Sequence, residues 1–156
     1  SVAFKVNNVE NPSLPLAIRK KESDFKLYYA DIGIATTLCG FDTIGALMRD
    51  TLGMNKGELF EAAVADSLYK ANIPLYYFAK TSGLQIDFVI SYSGYSTLIE
   101  AKEKSGNVKS SKTVMAHPDH YGVTKLIKFG DYNIGYENNI LTLPYYLAFA
   151  LGKSTL

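Results

Sequence analysis

The sequence predicts an α/β fold, a central mixed sheet with helices on its faces. Three observations carry that reading. Short runs rich in β-branched and aromatic residues recur between turn signals, among them PLYYFA, LQIDFVI, STLIEAK and TKLIKF. One long stretch, Lys56 to Ala71, instead places Phe60, Ala63, Val64, Ser67, Leu68 and Ala71 at helical spacing. From that helix onward the elements read helix, strand, strand, strand, helix, strand, helix, the alternation of a sheet covered by helices.

Residues 1 to 24 read as irregular, a linker or the end of an upstream domain, with the α/β domain beginning at residue 25. VAFKV has the composition of a short strand, but two prolines, Asn, Ser and a basic pair follow. Phe25 to Tyr29 suits a strand. Asp31 is placed to cap a short helix over Ile32 to Leu38 that stops at Cys39-Gly40. Gly45 to Leu52 suits another. Asn55 and Asn72 stand at the ends of the long helix, and Pro74 forbids its continuation. Asp66 and Lys70 form an i,i+4 pair on its outer side. Glu61 shares a ridge with Val64 and Leu68, so it borders the buried stripe. There it is either a rim charge or part of a site beneath the helix.

Pro74 to Ala79 forms the next strand and leads into a β-hairpin, LQIDFVI and STLIEAK around Ser93-Gly94-Tyr95. Strict alternation puts Ile86, Phe88 and Ile90 on one face and Gln85, Asp87 and Val89 on the other. In the second strand Leu98, Glu100 and Lys102 share a face, opposite Ile99 and Ala101. Gly106-Asn107 marks a turn, Lys109 to Ala116 a short helix, and His117 to His120 a loop. Val123 to Phe129, Tyr132 to Tyr136 and Asn139 to Leu143 are strands. Pro144 opens a last helix over Tyr145 to Leu151, closed by Gly152.

With 156 residues, 47% hydrophobic and 20% charged, the chain has the composition of one ordinary folded domain. No apolar run approaches the roughly 20 residues of a membrane span, so no membrane partner is expected. Cys39 is the single cysteine, which forbids an internal disulfide and suits a reducing cytoplasm. The chain opens on Ser1 rather than Met, as a processed chain or a piece of a longer protein would. A net charge of +1 gives no global pull toward nucleic acid, so any such contact must be local. The group Lys102, Lys104, Lys109 and Lys112 is either a groove wall that tracks phosphates or a solvated loop.

Charges inside an apolar hairpin are costly unless they pair or hold a metal. Asp87, Glu100 and Lys102 can do either. As an ion pair, Asp87 and Lys102 would bridge neighbouring strands. As a metal site, Asp87 and Glu100 are the oxygen donors that Mg²⁺ prefers. The Ala101 backbone carbonyl can add a ligand, Lys102 can orient a water or offset developing charge, and Glu61 can reach the cation directly or through water. Three other patterns carry little. Gly152-Lys153-Ser154-Thr155 lacks the earlier glycine of a phosphate-binding loop, since Leu147 stands there. His117 and His120 are too few for zinc. Ser111 has no nucleophile-elbow context.

A helix Glu, a strand Asp, and Glu-x-Lys in the next strand resemble the PD-(D/E)XK nuclease superfamily, whose restriction-endonuclease-like fold is a central mixed sheet flanked by helices. FKLYYADIGI, KGELFEAAVADSLYK, LYYFAKTSGLQIDFVI, TLIEAKEKSGNVKSSK and LTLPYYLAFAL, in that order, resemble the C-terminal nuclease-like domain of unknown function in prokaryotic AAA+ ATPase-family proteins. That resemblance spans about residues 1 to 152. It implies Glu61, Asp87, Glu100 and Lys102 as catalytic positions, and Asp87, Glu100, Glu61 and the Ala101 carbonyl around Mg²⁺ or Mn²⁺. DNA is the implied substrate and an upstream ATPase domain of the same polypeptide the implied partner. Two positions depart from the pattern. Gln85 stands where the family usually has an acid, which weakens a second metal, and Ile86 replaces the nominal Pro. The alternative expectation is a catalytically silent module of the same fold that binds nucleic acid or a protein and regulates the ATPase.

Overall fold

A computed structural model describes residues 2–49, 56–102 and 109–153. The chain is α/β, with one mixed eight-stranded sheet flanked by helices. The strands are β1 (Ala3–Val9), β2 (Lys20–Tyr29), β3 (Tyr76–Ala79), β4 (Gln85–Tyr92), β5 (Tyr95–Ala101), β6 (Lys125–Gly130), β7 (Gly135–Glu137) and β8 (Ile140–Pro144). Their order across the sheet is β2-β1-β3-β4-β5-β6-β8-β7. β1–β3, β5–β6 and β6–β8 are parallel pairs and the rest antiparallel. The helices are α1 (Ile32–Leu38), α2 (Phe41–Met48), α3 (Lys56–Lys70), α4 (Lys109–Met115) and the single turn α5 (Pro118–Tyr121). Leu16–Arg19 and Tyr145–Lys153 form 3₁₀ segments.

Each face of the sheet carries its own core. On one face Val64, Ala65 and Leu68 of α3 meet Phe88, Ile90, Ile99 and Phe129, with Ala148 and Leu151 of the C-terminal segment alongside. On the other, Val114 of α4 and Leu16 meet Phe78, Ile86, Val89, Leu98 and Leu126. A sheet covered on both faces explains why β4 and β5 read as continuous apolar runs.

The expected boundary at residue 25 is absent. β1 lies inside the sheet between β2 and β3, with Val6 and Val9 fully buried, so residues 1 to 24 are not a linker. The Asn8 side-chain amide bonds both the carbonyl and the N–H of Ala79, extending the short parallel contact of β1 with β3. Pro12 and Leu16 of the proline-containing stretch are buried, the Pro12 carbonyl accepting from the Ser96 hydroxyl of β5 and Leu16 packing in the core that holds Phe78 and Val89.

The hairpin forms as expected, but its turn is tighter, with Tyr95 in the strand rather than in the turn. Tyr92 pairs with Tyr95 across Ser93 and Gly94, both at positive φ (49° and 78°). That is the two-residue geometry matching the twist of the strands. The face assignment of β4 needs correction. Ile86 packs with Val89 and Leu98, on the opposite face from Phe88 and Ile90. Tyr76 and Phe78 of β3 face Val89 and Ile86 of β4, so β4 spends one residue more than its partner over that step. A bulge of this kind flips the side chains beyond it and bends the strand. Asp87 lies within it.

Other expectations shift too. The helix expected at Gly45 to Leu52 is Phe41–Met48, and residues 50–55, Asn55 included, lie outside the described residues. Asp66 is buried, at 5% exposure, rather than on the outer side of α3, although its pair with Lys70 forms at 2.8 Å. α3 has neighbours on more than the sheet side, and α1 supplies Asp31, whose carboxylate lies 3.9 Å from the same Lys70. The expected loop at His117 to His120 closes into α5. Lys104, the Gly106-Asn107 turn, Ser154 and Thr155 lie outside the described residues.

Candidate functional site

The β4–β5 ladder begins at the Tyr92–Tyr95 turn and runs in strict register to Phe88 and Ile99. The next step would set Asp87 against Glu100, and there backbone pairing stops. Instead Asp87 Oδ2 accepts from the Ala101 N–H at 2.9 Å, so a side chain takes the place of a ladder bond. β5 continues beside β6, with Ala101 opposite Phe129, after its pairing with β4 has ended at Ile99. Gly130 permits this closeness, since a Cβ there would lie 2.5 Å from the Lys102 carbonyl oxygen. A residue's N–H and C=O leave an extended strand on the same edge, so the Ala101 carbonyl faces the same gap.

The gap opens into a cleft of about 310 Å³ lined by Glu61, Gln85, Asp87, Glu100, Lys102, Lys109 and Ser110. Asp87 and Glu100 are 4% and 2% exposed. Lys102 Nζ sits between them, 3.1 Å from Asp87 Oδ2 and 3.1 Å from Glu100 Oε2. The other Glu100 oxygen accepts from the hydroxyl of Ser111 on α4. The neighbouring Ser110 accepts from the Gln85 N–H at 3.2 Å. Two adjacent serines therefore tie α4 to both diverging strands. Ser111 is fully buried, and its role in the cluster was not foreseen. The available signal was its i,i+3 spacing from the core residue Val114, which turns both toward the sheet.

The electrostatics follow from burial. Glu100 is pushed up to about 7, first by desolvation and then by the charge of Asp87, with Ser111 and Lys102 opposing. Burial pulls the Lys102 ammonium down, but Asp87 and Glu100 outweigh it and the net shift is upward. Two carboxylates share one ammonium, and the excess negative charge appears as a proton affinity on Glu100.

Glu61 reaches the cleft from α3 but is separately tied. Its Oε1 accepts from Lys26 Nζ at 2.9 Å and from the Tyr28 hydroxyl, both on β2. Burial and then the Glu61 charge raise the Tyr28 phenol, so Tyr28 remains a donor. Among the described residues, no three His, Cys, Asp or Glu side chains stand close enough to form a metal-binding group. The sequence-predicted residues are thus brought to one cleft, with Asp87, Glu100 and Lys102 in direct contact and Glu61 on its wall. Lys109 lines the cleft, and Lys112 is exposed on the same helix.

The remaining patterns lead elsewhere. His117 Nδ1 lies 2.9 Å from the Thr113 carbonyl, within its own helix end, and His120 packs edge-on against Tyr121.

One family, described as a domain of unknown function (DUF4143), matches residues 56–147, more than half of the chain. The chain belongs to this family. Within the DUF4143 segment lie α3, the whole β4–β5 hairpin and α4, hence Glu61, Asp87, Glu100, Lys102 and Ser111. Lys26 and Tyr28 lie outside it. No curated protein and no solved structure matches the chain. No helix among the described residues is long and apolar enough to cross a membrane.

Proposed function

We propose that this DUF4143 domain is a metal-dependent phosphodiester hydrolase of PD-(D/E)XK nuclease-like fold, acting on DNA in the cytoplasm and attached to an AAA+ ATPase domain. The observation that carries the reading is the convergence of two buried carboxylates, from strands that part at that point, on one amine. Mg²⁺ or Mn²⁺ is the group whose chemistry this donor set fits. Both bind carboxylate and carbonyl oxygens, and here two buried carboxylates share a single ammonium. Asp87, Glu100 and the Ala101 carbonyl would hold the ion, with Glu61 acting through water. Bound there, the ion would supply a water of lowered pKa and neutralise charge on the phosphoryl oxygens.

The chain's own residues do the rest. Lys102 must leave its place between the carboxylates for a cation to enter. Displaced to the side of the cleft, its ammonium would serve as a donor that orients the attacking water and stabilises developing charge. Ser111 fixes the Glu100 rotamer from behind. Lys109 and Lys112 supply local positive charge along the cleft for a phosphate backbone.

A second reading, a silent module that binds nucleic acid or a protein partner and regulates the ATPase, draws on a different observation. Lys102 already satisfies both carboxylates, and no third acid completes the set among the described residues. Incubation of the full chain with single- and double-stranded DNA in Mg²⁺ or Mn²⁺ separates the two. The hydrolase reading expects cleavage that falls by about 100-fold or more in Lys102→Met and Glu100→Gln. Retarded but uncut DNA in every metal would leave the silent module.

A further inference from the structure

The N-terminal hairpin reaches the cleft from outside the family segment. Along β2, Phe25, Leu27 and Tyr29 are exposed while Asp24, Lys26 and Tyr28 are half-buried, Lys26 and Tyr28 reaching α3. Lys26 and Tyr28 both end on one atom, Glu61 Oε1. Among the described residues no donor meets Oε2, although Glu61 lines the same cleft as Asp87 and Glu100.

The hairpin is seated firmly enough to position that oxygen. The Tyr28 ring packs 5.6 Å from Phe88 and 5.9 Å from Phe4, centre to centre. Phe4 in turn stacks on Tyr69 of α3 at 4.1 Å. Phe88 is the neighbour of Asp87, so one chain of rings links the hairpin, the helix that carries Glu61 and the strand that carries Asp87. An ion pair serving stability alone needs one donor. Two donors on a single oxygen fix the carboxylate's rotation and leave its other oxygen with its acceptor capacity intact.

We propose that Lys26 and Tyr28 are positioning residues for Glu61, holding Oε1 so that Oε2 is presented to the water shell of a divalent cation in the cleft. This rests on the metal reading above and deepens it, because the working site then includes residues 3–29 as well as the matched segment.

Calorimetric titration of the full chain with Mn²⁺ alone tests it, in a cycle of Tyr28→Phe with Lys26→Met against Glu61→Gln. Tyr28→Phe keeps the ring contacts and so the fold, which a thermal melt verifies. With Glu61 present, the double change lowers Mn²⁺ affinity by about tenfold, and Lys26→Arg on its own keeps most of it. In the Glu61→Gln background the same double change no longer lowers Mn²⁺ affinity, because the carboxylate it positions is gone and the loss of the Lys26 charge alone favours a cation. Equal losses in both backgrounds, or no loss in either, would overturn the positioning role while the metal reading stood. A wild-type chain that takes up no Mn²⁺ would remove the metal reading, and this inference with it.

Discussion

The two ends of the β4–β5 hairpin are built from the same strands and do opposite things. At the turn end five residue pairs keep register from Phe88–Ile99 to Tyr92–Tyr95, and Ser93 and Gly94 close the loop. At the other end one extra residue in β4 breaks the ladder, and Asp87 bonds the backbone of β5 in its place. The turn end contains no charged residue, and its buried apolar side chains divide between two cores, Phe88, Ile90 and Ile99 in one and Val89 and Leu98 in the other. The open end concentrates two buried carboxylates and an ammonium within hydrogen-bonding distance. A regular ladder satisfies its own polar groups and leaves nothing over for chemistry. A broken one leaves backbone groups and side chains that must be satisfied by other means, and those means form the cleft.

The sharpest contrast between the ends is their response to pH. Glu100 is raised from its ordinary 4.5 to about 7, so the folded chain binds its proton more tightly than the unfolded chain does. The contribution of Glu100 to stability is therefore greatest below about pH 4.5 and is lost as pH rises through 7, by about 3 kcal/mol at about 1.4 kcal/mol per unit. Urea unfolding across that range should show the fall in the wild type and lose it in Glu100→Gln. A fall that survives in Glu100→Gln would place its origin elsewhere.

Next in size is Lys102→Met. It removes the one ammonium between the two carboxylates and should cost about 2 kcal/mol in urea unfolding. That is less than a fully buried pair would lose, because Lys102 is 31% exposed and Glu100 can take up a proton. Added Mn²⁺ should return the lost stability by occupying the vacated position. Ser111→Ala should cost about 1 to 2 kcal/mol, since it leaves a buried carboxylate oxygen without its donor, and Ser111→Thr should recover part of it. The turn end should respond least. Gly94→Ala imposes φ of +78° on a residue with a Cβ, in open space, for about 1 kcal/mol with no dependence on pH or Mn²⁺.

The same contrast decides what the sequence could reveal. The turn end was legible to within a residue because its signals are local: Ser93-Gly94-Tyr95 between two β-branched runs marks a hairpin, and only the pairing of Tyr95 with Tyr92 tightens it to two residues. The grouping of Asp87, Glu100 and Lys102 was also legible, because paired strands and two-residue spacing bring them near one another whatever surrounds them. The bulge was not. Alternation put Ile86 with Phe88 and Ile90, and the register shift depends on how β3 lies against β4, which no local pattern records. Residues 1 to 24 misled for a related reason. Their strands are separated by Asn, Pro and Ser, and β1 finds its second partner in β3, nearly seventy residues away by its pairing of Asn7 with Tyr76. Helical period alone puts Asp66 on the outer side, but α3 is covered on more than one side and Asp66 is buried. Ser111 carries no charge and no motif, and only the packing of α4 turns it onto Glu100.

Diffraction from crystals of the full chain soaked in Mn²⁺, recorded where manganese scatters anomalously, addresses the open end of the hairpin most directly. The expected result is a single anomalous peak touching both Asp87 and Glu100, with Lys102 displaced from between them. Crystals that keep Lys102 bridging the two carboxylates at high Mn²⁺, with no peak in the cleft, would contradict it.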